Sequence, residues 1–120
     1  MGQSRLQRQH KGLLKMGQEL LAASMKPFGD CSDIRRKLAR FSGALRMHAA
    51  MEEEALYPEL LSSDDAEVRR AATHLYDELG GLYAQWDDFM ERWPDAESIS
   101  GGKNRFRMQL VRVLTTLERR

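Results

Sequence analysis

The chain has 120 residues, 42% of them hydrophobic and 31% charged, and a formal net charge of +1. This is the length of one domain with a core of its own, and the composition excludes a disordered chain. The single cysteine, Cys31, excludes an intramolecular disulfide, a multi-cysteine zinc site and an iron–sulfur cluster, and points to a reducing, cytoplasmic setting. No apolar run approaches the roughly 20 residues of a membrane span. The opening residues, Met1 to Leu6, lack the apolar core of a signal peptide and the myristoylation pattern.

The charge is unevenly placed. Residues 1–47 hold ten basic and three acidic side chains, residues 48–100 three and fourteen, and residues 101–120 six and one. Acidic and basic faces of neighbouring helices are expected to attract each other within the chain. A nucleic-acid partner is not expected, because no basic stripe interleaved with aromatics and no recognised module is present.

The first predicted helix covers Ser4–Met25, with Leu6, His10, Leu13, Gly17, Leu20 and Ser24 recurring at steps of four and three. Lys26 to Asp30, with Pro27 and Gly29, ends it. The second is expected to start at a Ser32 or Asp33 cap and to run to about Leu61. Its stripe is Ile34, Leu38, Phe41, Leu45, His48, Glu52 and Ala55. Pro58 should kink or tighten its last turn. Ser62 to Asp65 supply a turn and a cap with carboxylates at the positive end of the next helix. That third helix is placed over Ala66–Arg92, with Val68, Leu75, Leu79, Leu82, Trp86 and Phe89 on one face. Gly80-Gly81 is its weak point, or else a place of close approach to a neighbour. Pro94 to Lys103 reads as a loop. A fourth helix from near Asn104 shows Phe106, Leu110, Val113 and Leu117 on one face. No strand-like alternation competes, so the chain is expected to be all-α, an up-down-up-down four-helix bundle with a short fourth helix.

All three histidines stand on or beside these core stripes. His48 and Glu52 take successive core positions in the second helix, and His74 with Glu78 repeats the spacing in the third. Residues four apart project from one helix face, so the two pairs are expected to face each other across the bundle, with His10 nearby. An isolated buried carboxylate is costly, and a bound cation offsets that cost. Imidazole with carboxylate suits iron, manganese or zinc. The bland alternatives are a core histidine satisfied by hydrogen bonds for His10, a stripe-edge carboxylate for Glu52, and a solvated Asp77–Glu78 face. The tryptophans read as packing, and Tyr57 reads first as packing, with a place near a metal as its alternative. Cys31 is expected in the loop before the second helix.

The segment from His48 through Glu52 to Leu56-Tyr57-Pro58 resembles the HxxxE…LYP signature of the hemerythrin-like, or HHE cation-binding, family. His10, 38 residues before His48, and His74, 26 residues after it, fit the same pattern. The resemblance covers essentially the whole chain. It implies a four-helix bundle with a non-haem di-iron centre, and His10, His48, Glu52 and His74 match ligand positions. Glu78 stands where oxygen carriers of the family have a second histidine, which makes the site harder and more anionic and turns the reading from oxygen carriage toward sensing or redox roles. The family takes its remaining His and carboxylate from the fourth helix. Here the inward stripe after Leu117 falls at 120 or 121 and then 124, where the chain stops. The fourth helix, at 17 residues from Asn104, covers roughly 25 Å against roughly 43 Å for the second. A truncated chain, a degenerate member, or ligands lent by a swapped second copy would each account for this.

The leading expectation is a non-haem iron protein, a metal-binding or sensor protein more than an enzyme. It binds or senses O2, NO or peroxide at a di-iron centre like the family's or, without the fourth-helix ligands, at a single-metal or incomplete site. The alternative is a metal-depleted helical interaction or regulatory module that keeps the bundle. A ferritin-like oxidase is disfavoured, because no Glu-x-x-His motif is present. A homodimer, by swapping or along the seam left by the short helix, is the expected assembly.

Overall fold

The computed structural model describes residues 5–26 and 29–118, with the backbone alone at Leu6. The expected helix start at Ser4 and the Pro27-Phe28 turn lie outside these residues. The elements are α1 (Arg5–Met25), α2 (Cys31–Met51), a π turn over Glu52–Leu56, α3 (Tyr57–Leu61), α4 (Ala66–Arg92), α5 (Ala96–Gly101) and α6 (Lys103–Glu118). The described residues are helical with no strand, so the fold is an all-α bundle as expected.

Local chemistry sets the boundaries. Asp30, rather than Ser32 or Asp33, caps α2: its Oδ1 accepts from the Ser32 N–H at 2.9 Å. Cys31 is therefore the first residue of that helix, half-buried, and not part of a loop. Asp33, in the first turn, is paired with Lys37, whose hydrogen bond holds the Asp33 carboxyl below its usual range. Asp65 caps α4 by accepting from Glu67 N–H at 2.9 Å. The expected loop after Pro94 contains α5, because Asp95 and Ser98 form a reciprocal capping box.

The core joins α1, α2, α4, α5 and α6 through Leu13, Leu20, Leu38, Phe41, Trp86, Phe89, Ile99, Phe106 and Leu110. Its aromatic rings form a connected series. Phe41 meets Trp86 edge-on at 5.2 Å, Trp86 lies 5.4 Å from Phe89, and Phe106 lies 5.6 Å from Phe89 and 5.3 Å from Trp93. Both indoles keep their N–H groups satisfied inside, on Ser42 Oγ and Gln109 Oε1, each at 2.9 Å. Gly17 brings α1 close to its neighbours, since a Cβ there would lie 3.4 Å from both Leu114 and Phe41. Gly80 and Gly81 do nothing comparable. A Cβ at either would meet no atom within 4 Å, and α4 passes through them unbroken.

The helices are unequal. α1 has 21 residues, α4 has 27 and α6 has 16. At about 1.5 Å per residue, α4 outreaches α6 by roughly 16 Å. The π turn, α3 and the first half of α4 consequently project as a two-helix arm, and the molecule measures 54 × 31 × 19 Å. Tyr57, Ala72 and Leu79 are buried in this arm but stand outside the main core cluster.

Candidate metal centre

His48 and Glu52 lie where α2 meets the arm. Both are buried, and Nε2 of His48 is 2.6 Å from Oε1 of Glu52. The helix supplies this contact directly, since residues four apart share a face. Each partner has a further contact. His48 Nδ1 stands 3.3 Å from Gln9 Oε1 on α1, and the Tyr57 hydroxyl donates to Glu52 Oε2 at 3.2 Å. His10, half-buried on α1, places its ring 6.0 Å from that of His48.

The Tyr57 contact depends on the backbone. In an α-helix, residue i+5 stands about 140° around the axis from residue i. Here the Tyr57 N–H bonds to the Glu52 carbonyl, i to i−5, and this π turn returns Tyr57 toward the face of Glu52. Pro58 supplies the reason. It has no N–H, and in a continuous α-helix its ring would collide with the carbonyl of Glu54. Where a kinked or tightened turn is expected at Pro58, the structure shows a widening, a π turn just before the proline. Pro58 then sits in the first turn of α3, where its missing donor is harmless. Of the two readings of Tyr57, packing and a place near the candidate site, the structure gives both: it is buried and its hydroxyl meets Glu52. Its position one residue before a mid-helix proline, five after Glu52, is the signal that places it at the carboxylate.

Beside the pair, His10 and His48 line a cavity of about 30 Å³ with Leu13, Leu45, Leu114 and Leu117. Phe41 and Glu118 also line it, so an acidic residue of α6 borders the cavity together with the two imidazoles, and its volume suits a single water-sized or diatomic molecule.

His74 and Glu78 form the same kind of pair, with Nε2 and Oε1 2.9 Å apart, but on the surface of the arm. Their side chains are 78% and 59% exposed, so the expectation that they face inward across the bundle is corrected. The phase of α4 explains it. Ala72, Leu79 and Trp86 occupy the buried stripe, and His74 and Glu78 stand about 140° and about 100° around the helix from Leu79. The structure therefore gathers His10, His48 and Glu52 and leaves His74 and Glu78 apart. Among the described residues, no three His, Cys, Asp or Glu side chains form a group that could hold an ion. The donors are right in kind for a hard or borderline cation but do not compose a finished shell.

The match to known families accords with this geometry. The model of the hemerythrin HHE cation binding domain matches residues 1–119, and the chain belongs to that family. Hemerythrin-like domains bind metal ions, typically iron. No curated protein and no solved structure matches the chain significantly. No helix among the described residues is long and apolar enough to cross a membrane.

Proposed function

We propose that the protein is a hemerythrin-like, non-haem iron-binding protein of the cytoplasm that binds or senses O2, NO or peroxide. The buried His48–Glu52 pair, with His10 beside it, carries this reading. A carboxylate and two imidazoles are costly at such a position unless they serve one another or an ion. Bound iron would supply redox chemistry and a coordination position for a small ligand. The chain's own part is orientation and exclusion of water. Gln9 and Tyr57 fix the two ends of the pair, and the small cavity admits one small molecule at the imidazoles. The half-buried thiol of Cys31 accords with a reducing compartment.

The surface placement of His74–Glu78 and the absence of a three-donor group among the described residues favour a second reading, the metal-depleted interaction or regulatory module. One experiment separates them. Protein expressed with added iron should retain about one iron per chain and show visible charge-transfer absorption. A His48→Ala/Glu52→Ala variant should lose both. Iron-free protein that also stays colourless after reconstitution would establish the module reading instead.

A further inference from the structure

The acidic and basic segments were expected to neutralise each other inside the chain, and the structure keeps much of their charge apart. The Asp33, His48–Glu52 and His74–Glu78 ion pairs are each made within one continuous helical segment, while Arg46–Asp87 joins α2 to α4. Glu53, Glu54 and Glu67 on the arm, and Lys15, Arg105 and Arg112 on α1 and α6, are exposed and make no ion pair among the described residues. The arm from Glu52 to Leu79 carries nine acidic and two basic side chains, a net −7. α1 and α6 together carry eight basic and two acidic, a net +6.

Apolar side chains are exposed within both charged regions. On α4, Leu75 shares the phase of the buried Ala72 and Leu79, yet it is 41% exposed. Glu78 stands three residues beyond it, and Glu67 lies on the same flank two turns back. On α6, Met108 and Val111 are exposed on an outward stripe that also carries Arg105 and Arg112. One surface is an apolar seam edged by carboxylates, and the other is an apolar stripe edged by guanidinium groups.

We propose that these two surfaces are halves of one interface, and that the occupant of the arm seam is a second copy of this chain. The α6 stripe of one protomer covers Leu75 of its partner, and a two-fold axis makes the exchange reciprocal. The fit is electrostatic as well as apolar. Each half sets carboxylates against guanidinium groups that make no ion pair among the described residues, which steers the encounter and fixes its direction. This inference is independent of the cation reading.

Sedimentation velocity on the full chain over a range of protein concentrations tests it. A mass of two chains is expected in about 20 mM salt, weakening at least tenfold in about 500 mM salt as the charges are screened. Glu67→Lys/Glu78→Lys places cations on both arms of a homodimer, and Arg105→Glu/Arg112→Glu places carboxylates on both α6 stripes. Each variant alone should be monomeric. An equimolar mixture should recover a two-chain mass, because both halves of the mixed dimer then pair opposite charges. Met108→Asp, a single change in the apolar stripe, should weaken the native dimer in the same way. A wild-type monomer at every concentration in low salt would overturn the proposal. So would a dimer indifferent to these substitutions, or folded variants that stay monomeric when mixed.

Discussion

The chain contains the same two-residue device twice, in opposite surroundings. His48–Glu52 and His74–Glu78 both join Nε2 to Oε1 across four residues, at 2.6 Å and 2.9 Å. The first pair is 6% exposed on both side chains; the second is 78% and 59% exposed. Helix geometry makes each pair, and what packs over it decides its worth. α1 brings Gln9 and His10 to the first, and the π turn adds Tyr57. Water surrounds the second. Buried groups deprived of a partner bear the full desolvation penalty, whereas exposed ones are rehydrated and screened.

The contrast extends to the two regions that carry the pairs, and the core exhibits it most strongly. Leu38→Ala, at a fully buried position of the main core, should cost about 3 kcal/mol in urea unfolding. Leu75→Ala, equivalent in chemistry but half-exposed on the arm, should cost less than about 1 kcal/mol. Equal losses would show that the arm is packed as tightly as the body. Next comes Glu52→Ala, which strips His48 and Tyr57 of their shared acceptor. A loss of about 2 kcal/mol is expected, from the two buried contacts to the carboxylate that are removed. A loss near zero would mean that water replaces the carboxylate, and would place the pair on the wet side of the comparison.

Residue spacing alone reveals much of this, and it is informative where the physics is local. The 3.6-residue period located α1, α4 and α6 to within a residue or two, and the Asp65 cap followed from side-chain chemistry. The His48–Glu52 contact followed from the i, i+4 rule. What spacing cannot convey is which helix will lie over a given face. His74 and Leu75 are adjacent, and the stripe containing Leu75 was read as inward. Among the described residues, Glu118 of α6 lies with Leu13 and Leu45 around the small cavity, whereas Leu75 is 41% exposed. The π turn was hidden for a related reason. Pro58 announces a disturbance, but whether the helix kinks, tightens or widens depends on what a displaced side chain gains. Here Tyr57 gains a buried carboxylate. The Asp95–Ser98 box went unnoticed because Gly101-Gly102 and Pro94 dominate the composition of that stretch.

The smallest predicted effect tests the exposed side of the comparison. His74→Ala and Glu78→Ala should each change stability by no more than about 0.5 kcal/mol, measured at protein concentrations too low for two copies to associate. The imidazole contributes a charge to the pair only when protonated, and both side chains retain most of their hydration. Their attraction is thus a small difference between two well-solvated states. Raising the salt to about 0.5 M should remove what remains, because the screening length falls to a few ångströms, comparable with the contact itself. The same salt should leave the cost of Glu52→Ala nearly unchanged, since mobile ions do not enter the space between α1, α2 and Tyr57. If the two responses to salt were alike, burial would not be what separates the pairs, and the assignment of His48–Glu52 as the functional one would lose its physical basis.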